Sequence, residues 1–240
     1  MRWTMNNRVK ETYNQLANDY EHNVDKVSLF NTEYERPAMM KLLPIDLKDK
    51  KILDAGCAAG WYTEQLVSLG AEVTATDISP RMVEATKRRV GENIKVLCLD
   101  LEEKLPFEDE TFDVIISSLV LHYIKDWSKT FSEFHRILKP NGKLLYSVHH
   151  PFMDIKLSMN GDYFSKEFII DQWKREGKLI EVPFYRRPLH EIVNETVAYF
   201  SLEKLIEPQP TKAFEEEKPE KYEALMKNAH FMIVKARKES

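Results

Sequence analysis

Glycine is scarce in this chain: 7 of 240 residues, about 3% against a usual share of about 7%. Such a backbone has few places where it can turn left-handed or let another group press against it. Yet Gly56 and Gly60 fall close together in one short stretch. Cysteine is scarcer still. Cys57 and Cys98 exclude a disulfide framework and a Cys-rich zinc site, and no cluster has metal-ligand spacing, so no metal is expected. There is no surplus of basic charge: 35 Lys and Arg face 39 Asp and Glu, for a net charge of -4. That balance counts against a protein that works mainly by neutralising phosphates. The longest apolar run, 112–124, is broken by Ser117, Ser118 and His122. It falls short of the roughly 20 residues that span a bilayer. Residues 1–13 lack the apolar core of a secretory signal. With 43% hydrophobic and 31% charged residues, the chain is too apolar for disorder. The expectation is a reduced, cytoplasmic protein with one generous domain and no membrane contact.

What is present is an alternation of strand-like and helix-like stretches between residues 51 and 148. Strands are expected at 51–54, 72–77, 93–100, 112–117 and 143–148, and helices at 61–69, 80–89 and 128–138. Strands separated by helices imply right-handed crossovers, hence a doubly wound, mostly parallel α/β sheet with helices on both faces. Pro140, Asn141 and Gly142 supply the turn into the fifth strand. The stretch 151–187 is aromatic and irregular and reads as an inserted lid. Later come a helix at 189–199, a strand at 202–207, a helix at 214–228 and a strand at 231–236. A helix at 8–22 reads as an N-terminal cover. The domain divides into a cover (1–45), a cofactor-binding half (46–150), the lid (151–187) and a completing segment (188–240).

In open α/β sheets, ligands bind beyond the carboxyl ends of the strands. The first strand here runs into Asp54-Ala55-Gly56-Cys57-Ala58-Ala59-Gly60, and the second ends in Asp77. Small residues let the loop approach a ligand, and a carboxylate at Asp77 can accept from a ribose diol. Two details argue against a dinucleotide. A pyrophosphate-binding fingerprint needs G-x-G-x-x-G, but Trp61 occupies the third glycine position, and Asp54 brings negative charge to the loop. An acidic opening suits a cofactor that carries an ammonium and a sulfonium.

At these residues the chain resembles the class I S-adenosylmethionine-dependent methyltransferases. Residues 52–60 (ILDAGCAAG) look like the family's first motif, with Ala58 in place of the middle glycine. Ala75-Thr76-Asp77-Ile78-Ser79, Leu99-Asp100-Leu101-Glu102, Leu105-Pro106-Phe107, Phe112-Asp113-Val114-Ile115 and the stretch 138–144 (LKPNGKL) follow in family order. Each motif alone is weak; their order and spacing together are specific. The resemblance implies a seven-stranded sheet with an antiparallel last strand, and S-adenosylmethionine as cofactor. It places Asp54, Gly56, Cys57, Ala58 and Gly60 around the methionine part and the sugar, and Asp77 on the ribose. Ile78 and Met82 would flank the adenine, Asp100 and Leu101 would meet its edge, and Ser117 would lie near the amino group. Tyr13 and Tyr20 resemble a helix that closes over the donor.

A sulfonium is already an activated methyl donor, so alignment and water exclusion are the main tasks. A general base is needed only for an acceptor that is protonated at working pH. His149 and His150 after the fifth strand, and His122 after the fourth, are the candidates, since histidine titrates near neutrality; orienting loops is their other reading. Tyr163, Phe164, Trp173, Tyr185 and Arg186 are candidates for contacting the acceptor. The expected function is methyl transfer to a small molecule. The rivals are transfer to RNA or protein, and a silent cofactor-binding subunit. Nucleic acid is disfavoured because the basic cluster Lys87-Arg88-Arg89 belongs on an outer helix face.

Overall fold

The computed structural model of the chain describes residues 5–175 and 177–240. Residues 1–4 of the cover and residue 176 of the lid lie outside the described residues. The sheet has seven strands in the order β3-β2-β1-β4-β5-β9-β8. These are β1 (Lys51–Ala55), β2 (Glu72–Asp77), β3 (Lys95–Cys98), β4 (Phe112–Ser118), β5 (Leu138–His149), β8 (Ser201–Ile206) and β9 (Phe231–Arg237). The first five pair in parallel, and β9 runs antiparallel to both β5 and β8. This is the expected doubly wound, mostly parallel sheet. Its order reverses between β1 and β4, which opens a crevice above their carboxyl ends.

Strand periodicity divides the core between the two faces. Leu53 and Ile115 pack with Trp127, Phe131 and Phe134 of α6 (Trp127–Ile137). Ile52, Val114 and Ile116 face the other way, onto Tyr62 and Leu66 of α4 (Trp61–Ser68). The helix α5 (Pro80–Val90) follows β2, with Ser79 capping its first turn by accepting from Met82 N.

The cover is longer and more bent than one helix. It comprises α1 (Met5–Asp19), a π-helical turn (Tyr20–Val24), α2 (Asp25–Val27), a second π-helical turn (Asn31–Glu35) and α3 (Arg36–Met40). Each π turn inserts an extra residue into the helical ladder and redirects the chain. The cover thereby curls over the crevice instead of lying flat outside the sheet.

The lid is not irregular. A short helix, α7 (Pro151–Asp154), leads into a hairpin of β6 (Glu167–Arg175) and β7 (Lys178–Arg186). Ile169, Ile180, Val182 and Phe184 face inward, but Phe168, Ile170 and Leu179 are apolar on the outer face. Apolar residues on both faces blur the alternation by which a strand is read. The hairpin grips the cover: Val9 packs with Ile169, Val182 and Phe184, and Thr12 Oγ1 donates to Glu181 O at 3.0 Å. The helix α8 (Leu189–Val197) precedes β8. The single helix expected at 214–228 is two, α9 (Lys212–Glu217) and α10 (Pro219–Lys227). Pro219 forces Lys218 out of the helical region, to φ -143 and ψ 71.

Candidate active site

The crevice between sheet and cover is a cleft of about 1040 Å³ including its open mouth. The loop after β1 forms its floor. Gly56, Ala58 and Gly60 all take positive φ, at 89, 47 and 82°. A Cβ on Gly56 would stand 2.2 Å from Val120 Cγ2, and one on Gly60 would stand 2.8 Å from Thr86 Cγ2. The chain thus keeps glycine where both handedness and crowding demand it. Ala58 carries the same handedness with a methyl group, at a cost of roughly 1 kcal/mol. The loop is pinned by Gly56 N and Cys57 N, which both donate to Thr76 O at 2.8 Å. Thr86 Oγ1 donates to Ala58 O at 2.7 Å.

Asp77 ends β2 beside this loop. Ala58 N donates to its Oδ2 at 2.9 Å, and Ser79 N donates to its Oδ1 at 2.8 Å. A carboxylate has about four acceptor sites, so it retains room for a diol. Burial pushes its carboxyl up to about 6. Asp100 accepts from Asn6 Nδ2 at 2.6 Å and from Glu102 N at 3.0 Å. Tyr13 and Tyr20 form part of the roof, and the Tyr13 and Tyr123 hydroxyls lie 2.8 Å apart. Burial raises Tyr13 and Tyr20, so both phenols stay protonated. Of the residues expected around the cofactor, Gly56, Cys57, Ala58, Asp77, Ile78, Asp100, Leu101, Tyr13 and Tyr20 line this cleft. Cys57 is a free, buried thiol whose pKa burial drives well up.

Gly60 lies just behind, as the left-handed residue that starts α4. Asp54, Met82 and Ser117 are placed differently from expectation. Asp54 Oδ2 accepts from Thr63 Oγ1 at 2.6 Å, and its buried carboxyl is pushed up to about 7. It braces the start of α4 instead of presenting charge to a ligand. Met82 is fully buried against Leu16 and Ala17 of α1. Ser117 alternates inward and donates to Ala55 O at 2.9 Å, leaving its neighbour Ser118 to line the cleft.

None of the three histidines lines the cleft. His122 and His149 stack on each other, with ring centroids 4.0 Å apart. Burial holds His122 well below its usual pKa, and neither of its ring nitrogens has a hydrogen-bond partner among the described residues. His149 Nδ1 lies 3.3 Å from Asp154 Oδ1. His150 is committed to structure: Nε2 meets Glu207 Oε1 at 2.9 Å, and Nδ1 accepts from Phe152 N.

The expected acceptor contacts also lie outside the cleft. Tyr163 Oη accepts from Leu189 N, Phe164 is exposed, and Tyr185 packs on Phe168 on the hairpin's outer face. Trp173 packs near the cover and donates its Nε1 to Asp171 at 2.8 Å. Arg186 is not free to contact an acceptor. It is fully buried, and donates to the carbonyls of Asp162, Tyr163 and Ser165. Arg187 is likewise buried over the Trp127 ring, where desolvation brings it down to about 10.

Several residues that border the cleft carried no signal in the sequence. Glu35 is fully buried, and accepts from Tyr62 Oη (2.8 Å), Ser118 Oγ (2.8 Å) and Ser147 Oγ (2.5 Å). Tyr62 and Ser118 line the cleft, as do Asp25, Arg36 and Arg89. Arg89 is therefore not on an outer face. Charged residues on a helical stretch read as solvent-facing, and only the π turns and the curl of the cover bring these inward.

The family model described as a methyltransferase domain matches residues 53–146. An uncharacterised protein of Haemophilus influenzae is 30% identical over 229 residues, covering 85% of this chain and 88% of its own. A malonyl-[acyl-carrier protein] O-methyltransferase of Legionella pneumophila is 29% identical over 154 residues. That match covers 62% of this chain, which spans only about half (52%) of the relative's length. An S-adenosylmethionine-dependent methyltransferase structure from Mesorhizobium loti superposes with a TM-score of 0.69 at 25% identity, covering 85% of this chain and 97% of that one. The N-methyltransferase NodS of Bradyrhizobium japonicum, solved with S-adenosylhomocysteine, shares the fold at 18% identity, with a TM-score of 0.61 and coverage of 95% and 100%. This chain belongs to the class I, Rossmann-like S-adenosylmethionine-dependent methyltransferases, and is an enzyme whose cofactor is S-adenosylmethionine.

Proposed function

We propose that this methyltransferase acts in the cytoplasm on a small-molecule acceptor. The observation that carries the reading is the enclosure of the cleft: the chain's own cover roofs it, and the lid hairpin clamps that cover. The net charge of -4 gives no electrostatic footprint for nucleic acid.

When bound, S-adenosylmethionine supplies a methyl group activated by its sulfonium, so the protein needs no covalent nucleophile. In this reading Asp77 accepts from the ribose diol, with Ile78 beside it. Asp100 and the Leu101 backbone meet the adenine edge, and the loop at Gly56, Cys57 and Ala58 holds the methionine part. Tyr13, Tyr20 and Tyr123 exclude water from above. Positioning of this kind contributes about 7–11 kcal/mol at best.

The test is incubation of the protein with methyl-labelled donor and separated cell fractions. Label is expected in metabolites of low mass. Label confined to RNA or protein would overturn the reading.

A further inference from the structure

Glu35 closes the second π-helical turn of the cover, is fully buried, and has no part in the roles above. Its partners come from three core elements. Tyr62 Oη of α4 donates to Oε2, while Ser118 Oγ of β4 and Ser147 Oγ of β5 donate to Oε1. All three are hydroxyls, and the adjacent Arg36 is engaged with Asp25 instead, at 2.7 Å. A carboxylate has about four acceptor sites, so Glu35 is bonded as a base with one site to spare. Desolvation holds its carboxyl above the usual glutamate range, against the pull of the three hydroxyls and of the Arg36 charge. A buried carboxyl of this kind beside a ligand cleft suits proton transfer.

Ser118 opens that carboxyl to the cleft. It ends β4 beside β1, where the strand order reverses, and it lines the cleft next to Leu119. Leu119 takes a left-handed φ of 54°, at a cost of roughly 1–2 kcal/mol. Its N–H keeps the turn by donating at 3.0 Å to both the carbonyl and the hydroxyl oxygen of Ser147. Strain held in place by its surroundings collects at functional segments. Here the strained turn follows the one residue that touches both the cleft and Glu35 Oε1. A hydroxyl donates and accepts at once, so Ser118 can pass a proton on without gaining charge. Tyr62 also reaches both, but burial drives its phenol well above its ordinary pKa, so it keeps its proton.

We propose that Glu35, through the Ser118 hydroxyl, takes the proton that the acceptor sheds on methylation, and that the acceptor therefore reacts through an O–H or N–H group. The assignment rests on the donor-site and acceptor readings above. As the acceptor atom bonds the methyl carbon, the proton on that atom passes to Ser118 Oγ, and the Ser118 proton passes to Glu35 Oε1. The electron pair of the breaking carbon–sulfur bond stays on sulfur, so the sulfonium charge and the carboxylate charge vanish together. An acceptor carboxylate would need no such base.

The test follows methyl transfer from saturating labelled donor into whichever fraction of a cell extract takes the label, from pH 5 to 9. It compares the wild type with Glu35→Gln and Ser118→Ala. The wild-type rate is expected to fall about tenfold per pH unit on its acid side, and each variant to be about a hundredfold slower, with Glu35→Gln losing the acid limb. Calorimetry with S-adenosylhomocysteine should give affinities within about threefold of the wild type, which also shows that the variants are folded. On the protein alone, infrared titration should show a carboxyl band that titrates above the usual glutamate range and is missing from Glu35→Gln. A wild type without that band would overturn the relay, as would variants that keep the wild-type rate and acid limb, or that lose as much donor affinity as rate. Label in RNA or protein alone would overturn the small-molecule reading, and the variant comparison in that fraction would still decide the relay. No label in any fraction would contradict both.

Discussion

Ser147 Oγ on β5 donates to Glu35 Oε1 in the cover at 2.5 Å, across 112 positions of sequence. This bond ties the cover to the centre of the sheet. The same carboxyl takes the Ser118 and Tyr62 hydroxyls, so one buried group sets two side chains of the cleft. Desolvation raises its pKa, and the three hydroxyl donors oppose that shift.

Replacing Glu35 with Ala should therefore be costly. It strands the buried Tyr62 and Ser147 hydroxyls and the half-buried Ser118 hydroxyl, and leaves a cavity under the cover. A loss of about 3 kcal/mol is expected in denaturant unfolding, with weaker donor binding at temperatures where the variant is still folded. Glu35→Gln keeps the shape and should lose less than half as much. Equal stability of all three proteins would show that the network holds nothing together.

The glycine loop gives a paired prediction of opposite sign. Gly56→Ala drives a methyl group into Val120 at a positive φ, and should abolish donor binding. Ala58→Gly relieves a left-handed alanine and should keep donor affinity, with stability unchanged or higher by up to about 1 kcal/mol. Thermal melts and calorimetry on the two variants check both.

pH should act on the empty protein and on donor binding in opposite directions. Burial raises Asp77 to about 6 and Asp54 to about 7, both above their unfolded values near 3.9. Between those values the native state holds more protons than the unfolded chain, so stability is present at low pH and falls as pH rises through 6 and 7. Donor binding needs the Asp77 carboxylate as an acceptor, and should weaken about tenfold for each pH unit below 6. Melting temperature and donor affinity measured from pH 5 to 8 check the two slopes, and Asp54→Asn should flatten only the first.

Most of the sheet and the donor loop could be read from the sequence, because both are written in local chemistry. β-branched runs, a Gly-x-x-x-Gly spacing and a strand-ending Asp77 carry their meaning within a few residues. The acceptor side was not legible in that way. His150 and Arg186 have the residue types that chemistry uses, yet both are consumed by long-range partners, Glu207 and the lid carbonyls. Ser117 and Ser118 differ by one step of strand alternation, which decides which of them reaches the cleft. Glu35, Arg36 and Arg89 are charged residues on helical stretches, and only the tertiary path of the cover turns them inward. The lid hairpin escaped because its outer face is apolar as well.

The most direct test of the account is the donor affinity of Asp77→Ala against that of the wild type, measured by calorimetry on proteins with matched melting profiles. The Asp77 carboxylate stands at the join of loop, strand and cleft, held by Ala58 N and Ser79 N with acceptor capacity to spare. Losing two hydrogen bonds to a charged acceptor predicts affinity weaker by about a hundredfold or more. Unchanged affinity for S-adenosylmethionine would contradict the placement of the donor in this cleft.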